Sequence, residues 1–241
     1  MKKTLLSLYA LGAYAIGMSS LVYMIGFLGN FYVPKSIDSG PAGATGIAVL
    51  VNLVLAVCYF TLHSIMARPG FKQWWTTIIP AEIERSTYVL VSGLTFYMLV
   101  ALWQPSDISL WSIKNEYARA LILTMFLGAW LAMIFATFNI NHFSFFGLRQ
   151  VWLSVLEKTD GSSNFSAKYL YRFSRHPISF CWLIVMWTTP DMTGSRLIFS
   201  FVGTVYIFLI TPIEERDLAN EIGEPYRQYQ KKVRRFIPLP K

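Results

Sequence analysis

The sequence predicts an all-α integral membrane protein with about five to six transmembrane helices, and three observations carry that prediction. Of the 241 residues, 54% are hydrophobic and only 14% are charged, whereas soluble globular domains average about 25% charged residues. Apolar segments recur at close to the length of about 20 residues that a membrane-spanning helix needs. Lysine and arginine are concentrated in alternate loops between those segments. Together these features exclude a soluble globular class.

Six apolar segments are visible along the chain. They lie at residues 5–29, 46–67, 86–103, 118–138, 178–190 and 196–213. The fifth segment is short, so it is either a half-span or extends into the residues just before it. The fifth and sixth segments are expected to form a helical hairpin, and the polar tail after them is expected to form a cytoplasmic helical lid.

The N-terminal segment resembles a secretory signal peptide at first sight. It has Lys2 and Lys3 before an apolar run, and Ala13-Tyr14-Ala15 mimics a cleavage site. The apolar run continues to about Gly29, which is longer than the 7–15 residues of a signal-peptide core. The segment is therefore predicted to be an uncleaved first transmembrane helix.

The distribution of basic residues predicts the orientation in the membrane. With the N-terminus placed inside, the outer loops carry only four of the 21 Lys and Arg residues, which are Lys35, Lys114, Arg119 and Arg196. Basic residues favour the cytoplasmic side of a membrane, so both termini are predicted to be cytoplasmic. The net charge of +8 is explained by this bias and by anionic lipid. The lipid bilayer is thus the expected partner, and no nucleic acid is needed.

The chain is predicted to be a single membrane domain, 1–241, with two parts. Residues 1–138 hold the first four transmembrane helices, and residues 139–241 hold a cytoplasmic loop, the hairpin and the tail. Within that loop, 139–156 is predicted to be a helix on the membrane surface and 157–166 a polar turn. After the sixth segment, a separate polar helix is predicted at 214–222, where Gly223 ends it and Pro225 starts another short helix.

Two ionisable clusters bracket the apolar hairpin. Arg175-His176-Pro177 precedes it, and Glu214-Glu215 follows it. Charged groups are costly at membrane depth, and their presence there indicates function. The other two histidines, His63 and His142, end apolar segments on the same predicted inner side, whereas the outer side carries no comparable cluster. A polar site is therefore predicted at the inner membrane boundary.

The residue types of this cluster suggest the chemistry of its ligand. Arginines favour carboxylates or phosphates, and paired carboxylates suit ribose hydroxyls, amines or a positive centre. Aromatic faces, such as those of Tyr226 and Tyr229 at i and i+3, suit an adenine ring or a sulfonium ion. S-adenosyl-L-methionine carries all of these groups, although other nucleotides share most of them. No spacing of metal-ligating residues is present, so no metal is predicted.

The C-terminal part of the chain resembles a known superfamily. The shared pattern is Tyr171-x-x-x-Arg175-His176-Pro177 followed by Glu214-Glu215-x-x-Leu218-x-x-x-x-Gly223-x-x-Tyr226-x-x-Tyr229-x-x-x-Val233-x-Arg235-x-x-Pro238. It resembles the isoprenylcysteine carboxyl methyltransferase superfamily of membrane enzymes that use S-adenosylmethionine. The resemblance implies that the cofactor is bound by Tyr171, Arg175, His176, Pro177, Glu214, Glu215, Tyr226 and Tyr229. One departure is that Ser179 and Cys181 stand where that superfamily usually has Tyr and Gly.

Segments over the rest of the chain narrow the resemblance to bacterial methanethiol S-methyltransferases. These segments are 26–30, 33–40, 63–69, 84–88 and 141–150. The resemblance implies conversion of methanethiol, or related small thiols, to dimethyl sulfide in the bacterial inner membrane. The thiol is expected to enter from the membrane or the cytosol.

A thiol must lose its proton to become a good nucleophile, and this requirement suggests catalytic residues. His142 is expected to accept the proton, Arg149 to lower the pKa of the thiol by its charge, and Asn141 to help orient the site.

Two other interpretations stay open at this stage. A different acceptor within the superfamily, such as a prenylated cysteine carboxylate, an isoprenoid or another lipid, would need a wide lateral groove. The second interpretation is a non-enzymatic membrane protein, such as a small permease or a denitrification-associated membrane factor. The middles of the apolar segments are nearly all apolar, which argues against transport.

Overall fold

The computed structural model describes residues 2–41, 45–158 and 167–238. These residues form ten α-helices and two short β-strands, in the order α1 Lys2–Gly29, α2 Thr45–Ala67, α3 Pro69–Trp75, α4 Glu84–Leu102, β1 Ser109–Ser112, α5 Glu116–Asn139, α6 His142–Phe145, α7 Leu148–Val155, α8 Pro177–Trp187, β2 Asp191–Thr193, α9 Gly194–Ile222 and α10 Glu224–Lys232. Most of the polar turn predicted at 157–166 lies outside the described residues.

Five helical stretches are long and apolar enough to cross a membrane. They are Lys3–Gly29, Gly46–Ala67, Ala81–Leu102, Glu116–Asn139 and Gly194–Ile222. Each coincides with a segment expected from the sequence, which confirms an all-α, multi-pass membrane fold. Ala81–Leu102 consists of α4 and a short 3-10 turn, Ala81–Ile83, that precedes it.

The fifth apolar segment is a short helix. α8 has 11 residues, or about 16 Å at 1.5 Å per residue, against a hydrocarbon core about 30 Å thick. Pro177 starts the helix, and the chain beyond it is extended and pairs β2 with β1. Ile113 N donates a hydrogen bond to Pro190 O at 3.0 Å beside this pair. The backbone of the extended chain that follows the short helix is thus partly satisfied by a small sheet.

The chain divides into two compact units. The first contains residues 1–108, 141–161 and 193–198, and the second contains residues 109–140, 162–192 and 199–241. The first unit therefore includes α1–α4, α6 and α7, while the second includes α5, α8, α10 and most of α9. The sequence-based division at residue 138 stays a prediction about domains.

Close helix packing builds the first unit. A Cβ atom added at Gly17 of α1 would lie 2.3 Å from the Val89 side chain of α4, and one at Gly93 would lie 3.1 Å from Ile16. Small residues that let helix backbones approach closely are typical of the contacts between helices inside membranes. The buried side chain of Asn52 donates to Gln104 O at 2.6 Å and accepts from Gln104 N at 2.9 Å. This amide satisfies backbone groups just beyond the end of α4.

The segment at 139–156 is two short helices, not the single surface helix expected from the sequence. The break occurs at Gly147, whose φ of +85° suits glycine. A Cβ at this position would lie 2.5 Å from Ser86 N. α6 and α7 therefore meet at a glycine that is pressed against the start of α4.

The polar helix expected at 214–222 is also not separate, because it forms the last turns of α9. α9 runs for 29 residues and continues through Pro212. Glu214 and Glu215 are therefore carried on the same rigid element as the spanning segment. As expected, Gly223 ends α9 with a φ of +79°, and Pro225 lies in the first turn of α10.

Candidate functional site

A buried carboxylate organises the second unit. Glu215 is 3% exposed, and its Oε1 accepts a hydrogen bond from Arg175 Nε at 2.7 Å. Its Oε2 accepts one from Arg235 Nη2 at 2.9 Å. The His176 ring contacts the same carboxylate, with Nε2 3.1 Å from Oε1. We call Arg175, His176, Glu215 and Arg235 the Glu215 cluster.

The chain after α10 holds this cluster in place. Arg175 Nη1 donates to Gln230 O at 2.9 Å and also to Val233 O. Arg175 N and His176 N donate to Arg234 O and Arg235 O, each at 3.0 Å. The arginine next to α8 is thus enclosed by both the carboxylate of α9 and the backbone of the tail. The basic tail is an integral part of the site.

The two neighbouring carboxylates differ in exposure. The Glu214 side chain is 35% exposed and the Glu215 side chain is 4% exposed. Glu214 Oε2 lies 3.8 Å from His176 Nδ1, so the imidazole lies between the two carboxylates. The charge of Glu215 is balanced inside the cluster, whereas Glu214 offers the more accessible carboxylate.

Tyrosines of α10 cover the segment before α8. Tyr226 and Tyr229 are both buried, with ring centroids 5.9 Å apart, as their i, i+3 spacing predicts. The Tyr229 hydroxyl donates to Tyr171 O and, at 3.3 Å, to Ser174 O. Burial, together with the nearby charge of Glu215, raises the pKa of Tyr226 to about 12. Both hydroxyls therefore stay protonated at neutral pH, since burial also raises the pKa of Tyr229.

All eight residues expected to bind the cofactor belong to the second unit. Direct contacts join Arg175 and His176 to Glu215, and join Tyr229 to the backbone of Tyr171. Pro177 starts α8 immediately after His176. The structure thus brings together the charged members of this set, while their role in cofactor binding stays a prediction.

The three residues expected to be catalytic belong to the first unit. Asn141 has a φ of 75°, and its side chain caps α6 by accepting from Ser144 N at 3.1 Å. His142 is 5% exposed, and its Nε2 lies 3.0 Å from the Tyr14 hydroxyl. Arg149 is half-buried on α7. Asn141 therefore positions the turn that carries His142, and Arg149 follows on the next helix.

The surroundings of His142 favour a neutral imidazole. Its ring packs 4.7 Å from the ring of Phe146 and lies edge-on to Tyr14 at 6.0 Å. Burial lowers the pKa of His142 below its ordinary value of 6.5. A neutral imidazole has one nitrogen free to accept a proton.

A second tyrosine–histidine pair in the first unit was not identified from the sequence. The Tyr88 hydroxyl lies 2.6 Å from His63 Nε2, and Ser92 Oγ lies 3.2 Å from His63 Nδ1. The Arg85 guanidinium lies over the Tyr88 ring, 4.6 Å from its centroid. The spacing of Arg85, Tyr88 and Ser92 along α4 predicts that the three side chains lie on the same face of the helix, and this signal was available in the sequence.

A polar cluster around Asp38 in the first unit was not identified from the sequence. In the first unit, Asp38 Oδ1 accepts from the hydroxyls of Thr193 and Ser195, and Oδ2 accepts from Asn30 Nδ2 at 2.7 Å. Arg196 is 2% exposed and donates to Leu28 O. Asp38 and Arg196 thus fasten the start of α9 to the chain around residues 28–38.

Comparison with known proteins gives near full-length similarity. A methanethiol S-methyltransferase from Mycobacterium tuberculosis (strain ATCC 25618 / H37Rv) is 39% identical, over 100% of this chain and 98% of that protein. One from Pseudomonas deceptionensis is 42% identical, over 96% of this chain and 88% of that protein. A protein called Nurim from Rattus norvegicus is 27% identical over 69% of this chain and 66% of its own length.

Two other comparisons found nothing. No protein-family model matches the chain, and no solved structure matches it. Family membership therefore depends on the curated relatives, whose identity and coverage are high enough to establish it. The chain belongs to the methanethiol S-methyltransferase family.

Proposed function

We propose that this protein is a membrane enzyme that transfers a methyl group from S-adenosylmethionine to methanethiol and so forms dimethyl sulfide. The observation that carries the proposal is identity of 38–42% to several methanethiol S-methyltransferases over nearly the whole chain. The thiol sulfur gains a bond to the methyl carbon, the sulfonium–carbon bond of the donor breaks, and the thiol proton passes to a base.

The second unit offers the groups that the proposed cofactor requires. The exposed carboxylate of Glu214 suits the amine or ribose hydroxyls, and the rings of Tyr226 and Tyr229 suit adenine or the sulfonium. Arg235, whose side chain is 41% exposed, suits the cofactor carboxylate. Arg175 and Glu215 neutralise each other, so we assign them to holding the segment in shape around the ligand. When bound, S-adenosylmethionine supplies an electrophilic methyl group.

The first unit offers a base and a cation for the acceptor. His142 is buried, hydrogen-bonded to Tyr14 and kept neutral, so it suits removal of the thiol proton. The charge of Arg149 would lower the pKa of a nearby thiol and raise the thiolate fraction. Asn141 fixes the turn that presents His142. Each of these roles is open to direct test.

We also propose a location in the bacterial inner membrane, with both termini in the cytosol. This orientation follows from the excess of basic residues on one predicted side. With five long spanning helices among the described residues, it requires that α8 and the extended chain up to α9 together form a sixth crossing. It would place the cofactor residues where a charged, water-soluble cofactor is available. The small apolar thiol would enter from the lipid or the cytosol.

The central experiment measures dimethyl sulfide in the headspace over purified protein in detergent with S-adenosylmethionine and methanethiol. We expect product only when both substrates are present, together with micromolar binding of the cofactor by calorimetry. A prenylcysteine analogue is assayed in parallel. Turnover of that analogue and not of methanethiol would assign a lipid acceptor, and absence of cofactor binding would contradict a methyltransferase.

The Arg149→Gln variant tests the electrostatic role. Because the loss of a positive charge would raise the pKa of the bound thiol, the pH profile of kcat, which reports groups in the enzyme–substrate complex, should move to higher pH. Cofactor affinity should be unchanged. Arg227→Gln is the matched control, since Arg227 lies exposed on α10. An unshifted profile for Arg149→Gln would remove Arg149 from thiol activation.

A further inference from the structure

The second unit contains an apolar cavity that adjoins the proposed cofactor residues, since Pro177 is part of its lining. It has a volume of about 350 Å³, within the range of about 300–1,000 Å³ that is usual for ligand pockets. Gly128, Ala129 and Ala132 of α5 and Phe180, Cys181 and Ile184 of α8 line its walls. Among its lining residues, Ser174 is the one with a polar side chain. We call this cavity the α5–α8 groove.

Small side chains on α5 create the groove and leave it open at the side. A Cβ atom added at Gly128 would meet no atom within 4 Å, and Gly128 is exposed although it lies in a spanning helix. The exposed side of such a helix faces lipid hydrocarbon. The groove therefore opens sideways into the hydrocarbon of the bilayer.

Cationic residues adjoin, along the chain, the residues that line the end of the groove before α8. Leu170 and Phe173 line that end, and the neighbouring residues Lys168 and Arg172 are exposed. The side chains of Lys168 and Arg172 form no hydrogen bond or ion pair with the rest of the described chain. Arg234 is exposed too, and its backbone bridges to Ser174 of the lining. This end thus combines an apolar wall with three cations.

Exposed aromatic rings mark the same end as a membrane interface. Tyr169 is 65% exposed and Phe173 is 54% exposed, and amphipathic aromatic rings are typical at the level of lipid headgroups. From Pro177 to Ile184 along α8, the groove extends about 10 Å towards the hydrocarbon, at 1.5 Å per residue. Its axis therefore leads from a cationic interface into an apolar interior.

We propose that the α5–α8 groove binds one acyl chain of an anionic phospholipid, with the lipid phosphate held by Lys168, Arg172 and Arg234. An acyl chain matches the apolar, laterally open walls, and a phosphate matches the cations at the mouth. Basic pockets between transmembrane helices are recognised sites for anionic headgroups. A phospholipid matches both the apolar walls and the cationic end of the groove. A free phosphate matches only the cations, and the tail of a lipophilic thiol matches only the walls.

The acyl-chain half of the proposal is tested by filling the groove. Gly128→Leu places a side chain in open space on α5, and Gly12→Leu does the same on the exposed face of α1, where a Cβ also meets nothing within 4 Å. Native mass spectrometry of the full-length protein in detergent then counts bound phosphatidylglycerol. We expect one retained lipid for the wild type and for Gly12→Leu, and at least tenfold weaker retention for Gly128→Leu.

The headgroup half is tested by removing charge and changing the lipid. The double variant Lys168→Gln/Arg172→Gln should bind phosphatidylglycerol about tenfold more weakly. Lys231→Gln/Lys232→Gln, which removes two exposed charges of α10, is the matched control and should bind normally. Wild-type protein should bind phosphatidylcholine about tenfold more weakly than phosphatidylglycerol.

Several results would overturn the proposal. Equal retention by Gly128→Leu and Gly12→Leu would remove the acyl chain from the groove. Equal binding of phosphatidylglycerol and phosphatidylcholine would remove the anionic headgroup. Displacement of the lipid by inorganic phosphate would assign the cations to a soluble anion, and displacement by hexanethiol would assign the groove to a lipophilic thiol. None of these measurements depends on enzymatic activity.

Discussion

Two of the three histidines of this protein, His176 and His142, have opposite surroundings. In the second unit, His176 lies between two carboxylates, 3.1 Å from Glu215 and 3.8 Å from Glu214. In the first unit, His142 contacts a tyrosine hydroxyl and aromatic rings. The ring of His176 is part of a network of charged groups, whereas burial lowers the pKa of His142 and favours its neutral form. One sequence therefore contains an imidazole suited to anchoring and an imidazole suited to proton transfer.

The difference indicates that the charges of the Glu215 cluster mainly hold the structure together, whereas His142 is suited to the reaction itself. In the Glu215 cluster, charged groups neutralise each other across three segments of the second unit, α9, the start of α8 and the tail. Changing one member should therefore affect stability as well as ligand binding. In the His142 site, the imidazole packs among aromatic rings and contacts the Tyr14 hydroxyl, so changing one member should alter rate and pH dependence with a smaller effect on folding.

The largest effect is expected for Glu215→Gln. Loss of this charge leaves the buried Arg175 without its counter-ion, and breaking a buried pair costs about 3–5 kcal/mol. Thermal unfolding in detergent should show a decrease in Tm of at least about 6 °C, accompanied by loss of activity.

The matched control for that change is Glu214→Gln. Because Glu214 is the more exposed carboxylate, its substitution should leave Tm within about 2 °C of the wild type. S-adenosylmethionine should bind about tenfold more weakly by calorimetry, corresponding to the loss of one charged hydrogen bond. Equal decreases in Tm for the two variants would show that the cluster does not distinguish them.

His142→Ala should give the next largest effect. Removal of a general base typically lowers the rate by about 10²–10⁴-fold, and affinity for S-adenosylmethionine should stay within about twofold of the wild type. In the wild type, activity should fall as the pH drops through the pKa of His142, which burial places under the ordinary 6.5, because protonation then removes the base. The variant should lack this acidic limb. A wild-type-like limb in the variant would assign it to another group.

Much of the fold follows from hydrophobic segments alone. Five spanning helices and the turn at Gly223–Pro225 were expected correctly, because helix length and turn chemistry are local properties of the chain. The continuity of α9 through Pro212 was not expected, because a proline normally ends or kinks a helix. Neighbouring groups can satisfy the backbone that a proline frees in a membrane helix. The break at Gly147 also depends on a contact with Ser86, 61 residues earlier.

The sequence predicted which types of residue form the site better than it predicted how those residues contact one another. The sequence marks Glu214 and Glu215 as equivalent neighbours, yet helical geometry turns one of them into the cluster and leaves the other accessible. The sequence does not distinguish Tyr14 from the other tyrosines, because its contact with His142 joins residues that are 128 positions apart. The hydrogen bonds of Asp38 with Thr193 and Ser195 were missed for the same reason, since they join distant segments of the chain.

Tyr14→Phe should sharpen the assignment of His142. For His142 Nδ1 to accept a proton, Nε2 must carry the hydrogen and donate it to the Tyr14 oxygen. The imidazolium donates this bond more strongly than neutral imidazole, so its loss should lower the pKa of His142. We expect kcat to fall about tenfold and the acidic limb to move to lower pH. A move to higher pH would show that the Tyr14 hydroxyl donates and that Nε2 takes the proton.

Tyr88→Phe should have the smallest effect on catalysis and tests whether the second tyrosine–histidine pair shares that role. His63 keeps its contact with Ser92, so the variant loses one buried hydrogen bond, worth about 1 kcal/mol. Tm should fall by about 2–4 °C, with kcat and KM within twofold of the wild type. Tyr9→Phe, which removes the hydroxyl contact between Tyr9 and Thr87, is the matched control. A tenfold decrease in kcat for Tyr88→Phe alone would place His63 beside His142 in the chemistry, and the two imidazoles of the first unit would then act together.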